Sequence, residues 1–119
     1  MCSSDLGATN NSQDLLLDTR NIIHSEKVIV IGINEIFDGF NKEFDFMKID
    51  IEGNEIDVLP AMTDENLQSL RCLSAEFHNT GHEFENFQES FIVRMINLGF
   101  NYFVLYHGDG ILRTLNFWK

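Results

Sequence analysis

Residues 44–55 read Phe-Asp-Phe-Met-Lys-Ile-Asp-Ile-Glu-Gly-Asn-Glu. An apolar run enters this stretch, two carboxylates and a glycine end it, and a helical pattern follows from Asn54 to Met62. Apolar strands that end in acids before a helix are how α/β enzymes present carboxylates to a ligand, because ligands bind beyond the carboxyl ends of parallel strands. Asp50 and Glu52 are two apart, so on an extended chain they point the same way. Gly53 allows a sharp turn there. The following helix carries Ile56 and Leu59 on one side, and Pro60 removes an internal hydrogen bond, which predicts a kink or an early end.

Working outward, Lys27–Ile33 is β-branched and predicts a strand, and Asn34–Phe40 predicts a short helix or turn. Asp45–Ile51 is expected to be a strand covered on both faces, since it lacks alternation. Thr63-Asp64 caps a helical turn running to Leu70. Arg71–Phe77 predicts a strand ending in Glu76 and His78. Phe84, Phe87, Phe91, Met95 and Leu98 recur every three or four residues, the stripe of an amphipathic helix. Asn86 with Glu89 suggests a capping box at its start, and Gly99 its stop. Asn101–His107 predicts a further strand, Gly108-Asp109-Gly110 a hairpin turn, and Ile111–Trp118 an antiparallel return. Residues 7–14 read as loop, and Leu15–Ile23 as either a short helix or an irregular packed segment. The class is α/β with a mostly parallel sheet and a C-terminal antiparallel hairpin strand.

The 119 residues, with eleven Phe and one Pro, make one domain or part of one rather than a disordered chain. No apolar run is long enough to span a membrane, and the first residues do not show the charged-then-apolar pattern of a signal peptide. Cys72 reads as a small core residue and a reducing cytoplasm as the compartment. The formal charge of −11 disfavours nucleic acid and membrane surfaces as partners. It suits a neutral sugar-like acceptor or a cationic sulfonium donor without identifying either.

The octet Lys48–Glu55 resembles the K-I-D-x-E-G-x-E signature of the FkbM-type methyltransferases, which transfer a methyl group from S-adenosylmethionine to an acceptor hydroxyl. Glu76-Phe77-His78 is similar to the acid and histidine that follow the family's next strand. The resemblance runs through most of residues 28–106 and covers the family's second half. It implies a partial Rossmann-like methyltransferase fold, with Ile111–Trp118 inserted between the strands at 71–77 and 101–107. It also implies S-adenosylmethionine as donor and a small-molecule or glycan acceptor. Cys2–Leu6 resembles the translation of a common sequencing adapter, so residues 1–14 are expected to be a disordered or artefactual tail. Residues 15–119 are then the C-terminal part of the domain, cut upstream of its cofactor loop. No G-x-G-x-x-G or G-K-[ST] cradle occurs; cofactor-binding residues are therefore unassigned, and this chain alone is expected not to hold the donor.

The candidate catalytic residues are Asp50, Glu52 and His78, with Glu76 and Gly53 beside them as acceptor-binding positions. Crowded carboxylates can produce a base that works near neutral pH, and attack on a sulfonium methyl needs the hydroxyl proton removed. Simpler readings compete. Asp50 and Glu52 could cap the next helix, Glu55 reads as an ordinary first-turn helix acid, and His78 could be a loop histidine. Lys48, set between Met47 and Ile49, should pair with Asp50 or Glu76. The rival chemistry is a divalent ion on Asp50, Glu52, Glu76 and His78, as in a metal-dependent hydrolase; no metal is assigned. The rival class is a non-catalytic α/β module binding a partner through its acidic rim.

Overall fold

A computed structural model describes residues 23–41, 44–78, 81–108 and 112–119. The expectations for residues 1–14, for most of Leu15–Ile23 and for the Asp109-Gly110 turn lie outside them. The chain divides into two units, 1–32 and 33–119. In the first, residues 24–32 form neither helix nor strand, and Val28, Ile29, Val30 and Ile31 are exposed, Ile29 at 91%. The strand expected at Lys27–Ile33 is therefore absent. β-branched residues favour an extended chain, but a strand exists only where a neighbour takes its hydrogen bonds.

The second unit runs α1 (Ile33–Gly39), β1 (Phe46–Ile49), α2 (Glu55–Ala61), α3 (Asp64–Ser69), β2 (Cys72–Phe77), α4 (His82–Asn97), β3 (Asn101–His107) and β4 (Leu112–Trp118). Its sheet has the order β1-β2-β4-β3. β4 thus lies between β2 and β3, where the family resemblance puts it. The expectation of a mostly parallel sheet fails. β1 pairs with β2 in parallel, whereas β4 is antiparallel to both of its neighbours. Helical crossovers return β1, β2 and β3 in one direction, and a hairpin strand inserted among them must oppose the two it touches.

Local signals set several boundaries. α2 ends at Ala61, one residue after Pro60. Thr63 caps α3 by accepting the Asn66 N–H on Oγ1 at 3.1 Å. α4 closes in a Schellman turn: Gly99 (φ 95°) donates to Ile96 O at 2.9 Å and Phe100 to Met95 O at 3.0 Å. Its start departs from expectation. The N-cap is Gly81, with no side-chain cap, and Asn86 lies one turn inside the helix. Glu83 and Glu85 put negative charge in the first turn, where it favours the free amides without a capping box. One polar link joins three helices: Asn34 Oδ1 accepts from buried Asn66 Nδ2 at 2.8 Å and from Thr63 N at 3.1 Å, and Asn34 Nδ2 donates to Ala61 O.

The core lies on one face of the sheet. Leu73, Ala75, Phe77, Leu115 and Phe117 are buried there with Phe84, Phe91 and Met95 of α4. The rings interlock, with centroids 5.2 Å apart for Phe77–Phe84, 5.4 Å for Phe87–Phe91 and 5.7 Å for Phe91–Phe117. Burying one such side chain stabilises the fold by roughly 1.5–3 kcal/mol. β2 alternates strictly between half-buried and buried residues, and Phe46, Phe103 and Trp118 on the other face are exposed. The expectation that β1 is covered on both faces is thus not met: Phe46 and Lys48 are exposed, whereas Met47 is half-buried and Ile49 buried.

β1 also has no partner strand on its outer side among the described residues. An open strand edge beside exposed Phe46 is a template for pairing with another chain, and −11 of net charge opposes it only weakly inside the screening length. Sedimentation velocity of the purified chain should show concentration-dependent association that Phe46→Lys reduces. A monomer at all concentrations with cooperative unfolding would show that the edge is inert.

Arg113 of β4 lies opposite Phe77, at the carboxyl end of β2. It donates to Glu85 Oε1 at 2.8 Å and to Gln88 Oε1 at 3.0 Å, and its guanidinium lies 5.2 Å from the Phe84 ring centre. The hydrogen bond from Arg113 holds the Glu85 carboxyl below its ordinary range. A depressed folded-state value stabilises the fold above the unfolded pKa and loses that contribution as pH falls through the folded one. Glu85→Gln should therefore slightly flatten the acid side of a plot of urea midpoint against pH, the effect being small for a solvent-exposed carboxylate. An acid limb unchanged by the substitution would show that the bridge is idle.

Candidate functional site

Parallel pairing of β1 with β2, Ile49 opposite Ala75, places the ends of the two strands side by side. Asp50 and Glu52 follow β1 there, and Glu76 and His78 flank Phe77, the last residue of β2. His78 Nε2 is 3.7 Å from Glu52 Oε2 and 3.9 Å from Glu76 Oε1. One ligand atom each from Asp50, Glu52 and His78 fall within 4.8 Å of one another. The four side chains named from the sequence thus share one rim. Lys48 Nζ lies 3.4 Å from Asp50 Oδ2, the first of its two expected partners. A divalent ion could bridge the same three side chains, although Lys48 already sets a positive charge against Asp50.

The rim is accessible to solvent. The Glu52 side chain is 81% exposed and the His78 side chain 33%. Neither Asp50 nor Glu52 caps the next helix, whose N-cap is Asn54. The turn is shared by two residues: Gly53 has φ 104°, as expected of a glycine, but Glu52 has φ 56° as well. A side chain in that region raises the energy by about 1–2 kcal/mol, so something must hold it.

Glu55 packs against this turn, and it is the residue whose contacts sequence reasoning missed. Its side chain is fully buried. Oε1 accepts the Ile51 N–H at 2.6 Å and Oε2 the Gly53 N–H at 2.9 Å. Backbone N–H groups converging in a tight turn form an anion nest, and here the anion is the chain's own next acid. A hydrogen bond to a charged group contributes about 1.5–3 kcal/mol, so two of them exceed the strain at Glu52. The sequence signal was faint: an acid two residues after a turn glycine also describes most first-turn helix acids. The Gly53 amide is consequently engaged by the protein, and what Gly53 offers a ligand is the lack of a side chain.

An apolar cleft of about 220 Å³ lies elsewhere, along the outer side of β1, lined by Ile33, Ile36, Phe37, Phe44, Phe46 and Met47 with Lys48. It holds none of the rim's acids and no imidazole. No helix among the described residues is long and apolar enough to cross a membrane.

A model of the methyltransferase FkbM domain matches residues 3–102. No curated protein and no solved structure matches the chain.

Proposed function

The chain belongs to the FkbM methyltransferase family, and from that premise we propose that it carries the acceptor-activating rim of an S-adenosylmethionine-dependent O-methyltransferase acting on a hydroxyl of a small molecule or glycan. The observation that supports this is the imidazole of His78 within 4 Å of two carboxylates at adjoining strand ends. When bound, the donor supplies an electrophilic methyl on a cationic sulfonium. The acids of the rim fit that charge, whereas no glycine-rich loop is available among the described residues for its adenosine, so no donor contacts are assigned.

The chain's own part is to hold the acceptor and remove its proton. Glu76 and the side-chain-free Gly53 position the hydroxyl, and His78, Glu52 or Asp50 accepts the proton as displacement begins. A proton taken by His78 leaves a cation with carboxylate oxygens of Glu52 and Glu76 3.7 and 3.9 Å away. Alignment of the two reactants supplies the remainder, as in any in-line displacement. The proposed place of action is a reducing cytoplasm.

The test uses protein expressed from an uninterrupted genomic clone, with methyl-labelled donor and a panel of polyhydroxylated acceptors. Label should appear as an alkali-stable methyl ether. Label only in alkali-labile esters, or none transferred while acceptor analogues still bind, would replace this reading with carboxyl methylation or with the non-catalytic binding module.

A further inference from the structure

The rim's geometry depends on a residue that touches neither acceptor nor donor. Resting on the reading of the rim given above, we propose that Glu55 is its positioning residue: the buried carboxylate gathers the Ile51 and Gly53 amides and thereby imposes the bend that sets Glu52 against His78.

Three observations converge on this. Glu55 is fully buried although it bears an acid, and its partners are two backbone N–H groups, not a cation. Both amides flank Glu52, whose φ of 56° a side-chain-bearing residue adopts only under constraint. The constrained residue is the one whose Oε2 lies 3.7 Å from His78 Nε2. An acid serving only the dipole of α2 would point along that short helix. Glu55 instead turns back across the loop.

The chemistry of the clamp is demanding. A carboxylate offers acceptors on both arms, which two N–H donors require. An amide of the same shape must set its NH₂ against one of those donors. An aspartate keeps the charge but is one methylene too short to reach both amides. Glutamine and aspartate should each loosen the clamp with little change in buried volume.

The test is an NMR double-substitution cycle on the 119-residue chain, read at the His78 ring resonances. In the wild-type background, Glu52→Gln removes a charge beside the imidazole and shifts those resonances. In a Glu55→Gln background the same substitution should shift them by less than about half as much, because Glu52 is no longer held there. Amide exchange at Ile51 and Gly53 should rise by about tenfold or more, with β2 amides unchanged. Should Glu55→Gln fail to fold, Glu55→Asp is read the same way. Equal shifts in both backgrounds, or unchanged exchange at Ile51 and Gly53, would overturn the proposal. None of these readings needs methyl transfer, so Glu55 can fail as a clamp while the rim stands, or hold the bend of a rim that proves inert.

Discussion

In the intact enzyme, Asp50→Asn and Glu52→Gln should each lower turnover by about 10²–10⁴-fold, the range that proton transfer by a positioned side chain contributes. Stability should hardly follow. The Glu52 side chain is 81% exposed, and the Lys48–Asp50 pair is exposed on both sides. Exposed ion pairs contribute about 0–1 kcal/mol, and surface substitutions stay within about 0.5 kcal/mol. The measurement is kcat beside a urea midpoint for each variant. A fall in kcat with an unmoved midpoint places the acids in the chemistry. Wild-type turnover in both variants would make the rim structural and remove the basis of the proposed mechanism.

Phe77→Ala is expected to be the most damaging single core change. The ring is fully buried at the end of β2, with Phe84 centred 5.2 Å away and Phe87 5.5 Å away on α4. Truncating a buried Phe costs about 3–5 kcal/mol, through lost transfer energy and the cavity left behind. A domain holds only about 5–15 kcal/mol in total, so most of the chain's stability should be lost. Phe103→Ala is the matched control, since Phe103 is 50% exposed on the open face; it should move the urea midpoint little. Equal losses for the two substitutions would mean that the covered and open faces of the sheet have been interchanged.

Features legible in the residues are those whose physics acts over a turn or two of chain. The phenylalanine stripe of α4 is a period that any reader can count. Its Schellman stop at Gly99, the Thr63 cap and the end of α2 just after Pro60 need only the next few residues, so the structure repeats them. The insertion of β4 between β2 and β3 was never in the periodicity; it came from family resemblance, because a hairpin pattern does not say which side of β2 it will join. Even at short range, reading failed where several devices serve one end: the start of α4 uses Gly81 and first-turn acids, which a search for Asn86 and Glu89 passes over.

Pairing and burial belong to the tertiary structure. Lys27–Ile33 has better strand residues than β1, yet only β1 becomes a strand, since strand formation depends on a neighbour that composition does not name. The four rim residues were all visible as candidates, and their juxtaposition followed only on the condition that the two strands are neighbours, which the parallel register of Ile49 against Ala75 supplies. Glu55 shows the same division most sharply. Residue type and position make it an ordinary helix acid, and only the folded bend, with two amides turned inward and water excluded, makes its carboxylate the part that holds the loop. Local propensity is written in consecutive residues, whereas hydrogen-bond partners and burial are settled between segments that meet only once the chain has folded.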